Sequence, residues 1–110
     1  DFPDYTAGEI YHIFLNFVRS EDYQLEDEPA VRERVIAFIQ TIASLGCKNA
    51  GNGRLARKLF RSATTYMAER DSQDMTTLTL QDVAKAAEEI EAAERLVSAK
   101  QKREVGFRMA

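Results

Sequence analysis

Tryptophan is absent from the 110 residues, and cysteine and histidine occur once each, as Cys47 and His12. A single thiol excludes an internal disulfide and fits a reducing compartment. Cys47 has no base beside it in sequence, so thiol chemistry is not indicated. His12 has no His or Cys at i+3 or i+4, where a helical metal site would need one, and it reads as a surface or flank residue. No apolar run approaches the roughly 20 residues needed to cross a bilayer, and no signal peptide is visible. The expectation is a cytoplasmic chain with no membrane association. Neither sign of charge dominates: 15 Lys and Arg stand against 18 Asp and Glu, a net charge of −3. That balance argues against a general nucleic-acid or anionic-membrane binder, although it leaves room for a local basic patch. The length suits one domain with a single, modest core. The chain opens on Asp1 without methionine, which reads as a piece of something longer.

What the sequence does have is helical periodicity. Thr6-Ala7-Gly8-Glu9 is a capping box, followed by Ile10, Ile13, Phe14, Phe17 and Val18 on one predicted helix face as far as Ser20. Tyr23-Gln24-Leu25 reads as a short extended piece. A second helix opens at Asp27-Glu28-Pro29, where acid suits the dipole and proline loses no partner for its missing N–H. Its stripe is Val31, Val35, Phe38, Ile39, Ile42 and Leu45, with Gly46 as C-terminal cap. After a loop from Cys47 to Gly53, a third helix runs from about Asn52 to Asp71. Leu55, Leu59, Ala63, Tyr66 and Met67 lie on one side of it, and Arg54, Arg57, Lys58 and Arg61 on another. Leu78-Thr79-Leu80 is a candidate brief strand. Thr79 to Asp82 resembles a second capping box, and Val83, Ala84, Ala87 and Ile90 carry the last helix. The expected fold is an all-α, four-helix bundle with at most one minimal two-stranded pairing, between residues 23–25 and 78–80. Residues 1–98 form the domain, and 99–110 a charged, frayed tail.

Catalytic signals are poor. Glu88, Glu89, Glu91 and Glu94 read as a solvated helix face. Gly46 to Gly51 has the spacing of a phosphate loop, but Asn52-Gly53 stands where Lys and Ser or Thr belong, and no apolar strand precedes it. The chain alone is therefore not expected to hydrolyse ATP. Arg54 is more informative. It falls in the first turn of a helix, an end already friendly to anions through its free N–H groups and dipole. Its forked, permanent charge suits phosphate oxygens. Arg54 is thus a candidate phosphate sensor; the plain alternative is a solvated basic stripe.

Several pieces together resemble one family. Phe2-Pro3-Asp4-Tyr5, then Glu9-Ile10 and Ile13-Phe14, resemble the F-P-x-Y and E-L-x-x-I-F entry to the C-terminal lid of AAA+ ATPases. The likeness is to the CbxX/CfqX branch, with the red-type rubisco activases and the stage V sporulation protein K group. Tyr23-Gln24-Leu25 resembles its G-Y-x-L element, with Asp22 in place of glycine. Gly51-Asn52-Gly53-Arg54 with Arg57 resembles G-N-A-R-x-x-R-N, with Gly53 for alanine and Lys58 for asparagine. Leu78 to Val83 resembles L-T-x-x-D-L. The resemblance spans residues 2 to about 90.

It implies a lid that closes over ATP and Mg2+ held by a separate large domain. Arg54 takes the position of the sensor 2 arginine, with Arg57 in reserve for the phosphates or a neighbouring subunit. Ile10 and Ile13 would line the adenine side. The implied partners are the large domain, neighbouring subunits of a hexamer and a protein substrate, with no nucleotide held stably by this chain alone. Two other readings stay open: a helical protein-interaction module, and a small nucleic-acid-binding bundle using the basic face of the third helix. Few aromatic platforms accompany that face, which argues against the latter.

Overall fold

The computed structural model describes residues 5–46, 53–70 and 76–109, with side chains described as far as 97 and at 99. Cys47, most of the glycine- and asparagine-rich loop, and the Phe2-Pro3-Asp4 stretch lie outside the described residues. Four helices and two short strands follow in the order α1 (Ala7–Ser20), β1 (Gln24–Leu25), α2 (Glu28–Ser44), α3 (Gly53–Glu69), β2 (Thr77–Leu78) and α4 (Leu80–Met109). Among the described residues, no helix is long and apolar enough to cross a membrane.

Local chemistry sets the helix ends. The Thr6 amide donates to Glu9 Oε1 at 2.8 Å, and the Glu9 amide donates to Thr6 Oγ1 at 3.2 Å. Both halves of the capping box are made, and hydrogen bonding from Thr6 to the Glu9 carboxyl, from its backbone first and then its side chain, holds that carboxyl below its usual range. α1 closes on Asp22, which adopts a left-handed φ of 63°. That turn lets the Tyr23 amide reach back to the Val18 carbonyl at 2.8 Å and the Asp22 amide to Arg19 at 3.1 Å. α2 is capped by Asp27, whose carboxylate accepts from the Ala30 amide at 3.3 Å. It ends at Gly46, with φ 77° and its amide on the Ala43 carbonyl.

The core lies between the helices: α1 packs on α2 and α3, and α4 packs on the same two from the other side. Phe14, Phe38, Val31, Leu59, Ala63, Leu78 and Val83 are among its fully buried members. α1 buries a wider face than the predicted one. Tyr11 and Leu15 join Ile10, Phe14 and Val18 inside, while Ile13 and Phe17 are half-buried at its flank. The reason is that α1 faces two helices, so its apolar arc spans both contacts. Phe60, outside the predicted face of α3, is buried against the rings of Phe17 (centroids 5.7 Å), Tyr23 (5.8 Å) and Phe14 (6.4 Å). On α4 the buried alanines are Ala86 and Ala87, with Ala84 at the margin.

β1 and β2 pair in parallel, with Gln24 opposite Thr77 and Leu25 opposite Leu78. The Gln24 amide donates to the Thr76 carbonyl at 2.8 Å and the Glu26 amide to Leu78 at 3.0 Å. The second strand ends before Leu80 because α4 already begins there, with Thr79 at its cap. Thr79 and Asp82 exchange amide-to-side-chain hydrogen bonds at 3.0 and 3.2 Å, the second capping box. The α4 backbone is helical to Met109, so the charged segment from 99 onward continues that helix.

Candidate functional site

Gly53 is the first residue of α3 and Arg54 the second. The side chain of Arg54 stands on the exposed side of the helix, because Leu55, Ala56, Leu59 and Phe60 turn the opposite side inward. Arg57, Lys58 and Arg61 follow at helical spacing and are also exposed. Together the four line a shallow depression of about 310 Å³ with no acidic residue among its lining. Four like charges on one helix face repel one another, so the depression favours an anion that neutralises them.

The apolar neighbour of this site is Ile13. A Cβ at Gly53 would stand 3.6 Å from Ile13 Cδ1 and 3.9 Å from Cγ2. The fold therefore brings Ile13 to the mouth of α3, one residue from Arg54. Ile10 lies one turn away and is only 1% exposed. Of the two isoleucines, Ile13 has surface to offer and Ile10 is a core side chain.

α4 supplies the acidic side of the neighbourhood. Lys58 Nζ lies 3.8 Å from Glu94 Oε1, the two side chains being 57% and 27% exposed. One turn and a half earlier, Glu89 accepts from the Ser62 hydroxyl at 2.9 Å. Glu89 also takes a hydrogen bond from the Tyr66 phenol, which raises that phenol's pKa. Glu91 is 7% exposed and meets Arg34 of α2 at 3.3 Å. The predicted solvated face holds at Glu88 and Glu89, which are exposed, and is corrected at Glu91, which is buried and ties α4 to α2, while Glu89 reaches across to α3 and Glu94 makes only the long contact to Lys58. Nothing in α4's own sequence distinguishes these roles, since each partner lies on another helix.

At the far end of α3, Arg70 makes a second ionic knot. Its Nε donates to Asp82 Oδ1 at 2.9 Å, and its Nη2 donates to the Thr77 carbonyl at 2.9 Å. Asp82 is 1% exposed. One guanidinium therefore joins the end of α3, the strand β2 and the cap of α4. The sequence signal was half visible, in the capping box, but its cation sits twelve residues upstream.

His12 is exposed on α1, with its ring 6.1 Å from that of Tyr11. Among the described residues no group of His, Cys, Asp or Glu is arranged to hold a metal. A larger depression, of about 440 Å³, lies on the outer face of α2 and mixes Arg32, Glu33, Ile36 and Gln40. Its opposed charges cancel, and the smaller all-cationic depression is the site with a defined chemistry.

No curated protein and no solved structure matches the chain at a meaningful level. The profile of a family described as the AAA lid domain does match, over residues 6–93. That stretch runs from the cap of α1 through the part of α4 that packs on the core. It holds α1 to α3, the first half of α4, the strand pair and the basic depression. The chain belongs to the AAA lid domain family.

Proposed function

We propose that this lid closes over ATP bound, with Mg2+, by the large domain of an AAA+ ATPase, and that Arg54 is its phosphate sensor. The observation that carries the reading is the exposed Arg54 at the mouth of α3, in an all-cationic depression with Ile13 beside it. A γ-phosphate placed there meets a forked donor and the positive end of a helix together. Arg57, one turn on, is the second phosphate contact or a contact to a neighbouring subunit. Ile13, with its half-buried surface, suits the adenine side better than Ile10. Mg2+ belongs to the large domain in this reading.

A hydrogen bond to a charged group contributes about 1.5–3 kcal/mol. Present in the closed state only, that biases a lid equilibrium roughly 10- to 100-fold. Hydrolysis removes the contact and releases the lid. Repeated around a ring of subunits, a hexamer by resemblance, the movement does work on a protein substrate in the cytoplasm. The Gly-Asn-Gly-Arg and Leu-Thr-x-x-Asp motifs support the CbxX/CfqX branch.

The test is Arg54→Ala in the full ATPase. Turnover should fall at least tenfold while the circular dichroism of this chain stays unchanged. Full turnover in that variant would sink the assignment. A reading as a protein-docking module is favoured by one observation, the exposure of Leu96 (73%) and Val97 (50%) on α4. It is compatible with a lid, whose neighbours must be gripped somewhere. Binding of nucleic acid through the basic stripe is opposed by the net charge of −3.

A further inference from the structure

Lys58 stands where the branch pattern has asparagine, and the structure gives it a specific setting. Arg54, Arg57, Lys58 and Arg61 occupy one face of α3 and line one depression. From Arg54 to Arg61 this face extends about 10 Å along the axis, long enough for more than one phosphate group. Lys58 faces a carboxylate on α4, at 3.8 Å from Glu94. That separation is long for an ion pair, and the lysine is 57% exposed. Such a pair contributes little to folding. It holds Lys58 loosely, beside the cationic row and not locked away from it.

We propose that Lys58 is a further phosphate-binding residue of this lid, and that Glu94 competes with the phosphate for it. The proposal rests on the lid reading above and adds a ligand contact to it. The ligand class is a linear polyphosphate, the triphosphate of a nucleotide being the case in point. When the anion enters the depression, Lys58 exchanges the Glu94 carboxylate for phosphate oxygens. Glu94 therefore lowers the affinity of the site. Glu94 marks the place where α4 leaves the core, since Arg95, Leu96 and Val97 beyond it are all exposed. Phosphate occupancy is thus linked to the fastening of α4 on α3 just before that helix projects.

The experiment titrates the chain with inorganic tripolyphosphate at fixed ionic strength, following the α3 amides by NMR. Wild type is compared with Lys58→Gln, Glu94→Gln, the double variant, Arg54→Gln and Glu33→Gln, which makes the same charge change on α2. Lys58→Gln should weaken binding about two- to fivefold, and Glu94→Gln should tighten it by a similar factor, as expected for exposed charge pairs. The gain from Glu94→Gln should vanish in the double variant, because Glu94 acts through Lys58. Glu33→Gln should change little. The proposal is overturned if Lys58→Gln binds as wild type, if the Glu94→Gln gain survives without Lys58, or if Glu33→Gln gives the same gain. It also fails if tripolyphosphate perturbs no α3 amide. Loss of binding in Arg54→Gln but not in Lys58→Gln sinks this proposal and leaves the lid reading standing. The turnover of Arg54→Ala in the full ATPase decides that reading separately.

Discussion

Asp22 occupies a backbone position that costs an L-residue about 1 kcal/mol or more, because its Cβ crowds the following carbonyl at positive φ. The turn requires that geometry, since it brings the Tyr23 amide back to Val18. Glycine, with no Cβ, adopts it without a clash. Asp22→Gly should therefore stabilise the chain by roughly 0.5–1 kcal/mol, allowing for the greater freedom glycine gives the unfolded chain. A urea midpoint that rises at unchanged slope would show it; a fall would mean that the aspartate makes a contact of its own. Tyr11 poses the opposite question. The residue is 3% exposed, yet among the described residues its hydroxyl has no hydrogen-bond partner. Desolvation first, then the nearby Glu28 carboxylate, raises the pKa of this phenol above 10.0. A raised folded pKa means that the stabilising contribution is complete below pH 10.0 and is lost as pH climbs through the folded value. Tyr11→Phe removes an unsatisfied hydroxyl, so it should be neutral or stabilise by up to about 1 kcal/mol. It should also flatten the loss of stability above pH 10.0, measurable by denaturation at pH 9 and 11.

At the scale of elements, the Arg70 knot sets the order in which pieces hold together. Arg70 ends α3, Thr77 is strand β2 and Asp82 caps α4, and one guanidinium touches all three. Arg70→Ala leaves a buried carboxylate with the Thr79 amide as its remaining partner. We expect a loss of about 1–3 kcal/mol, less than for a fully buried pair because the arginine is 28% exposed. Hydrogen exchange should show the Gln24 and Glu26 amides losing protection, since their acceptors sit on the β2 segment that Arg70 holds. Unchanged protection there would mean that the strand pair stands without the knot. The helix ends were legible in the sequence because caps are local: Thr6 with Glu9, Asp27, Gly46, and Thr79 with Asp82 each lie within a few residues of what they cap. The knot was not, because a cation twelve residues from its carboxylate carries no periodic signature. Nor was the pair of Arg34 and Glu91, separated by 57 positions.

Across the whole molecule, α1 explains most of what sequence periodicity left out. A helix that touches one neighbour shows one stripe; α1 touches two, and Tyr11, Leu15, Ile13 and Phe17 divide between core and flanks accordingly. The same placement makes the candidate site. The mouth of α3 rests on Ile13, so the first turn of α3 is set against α1 while its cations face outward. Arg54 was readable from the chain as a charged residue after a glycine-rich turn. That Lys58 and Glu94 approach one another was not, because the pairing depends on α3 and α4 running antiparallel.

α4 extends eighteen residues past Glu91, the last buried side chain among the described residues of that helix. A continuous helix of that length reaches about 27 Å. It behaves as a pointer pivoted on the bundle: a tilt of about 10° at the pivot carries the tip through nearly 5 Å over that reach. A shift too small to disturb the packing around Ile90 therefore becomes, at the tip, a displacement about as wide as the spacing between neighbouring strands of a sheet.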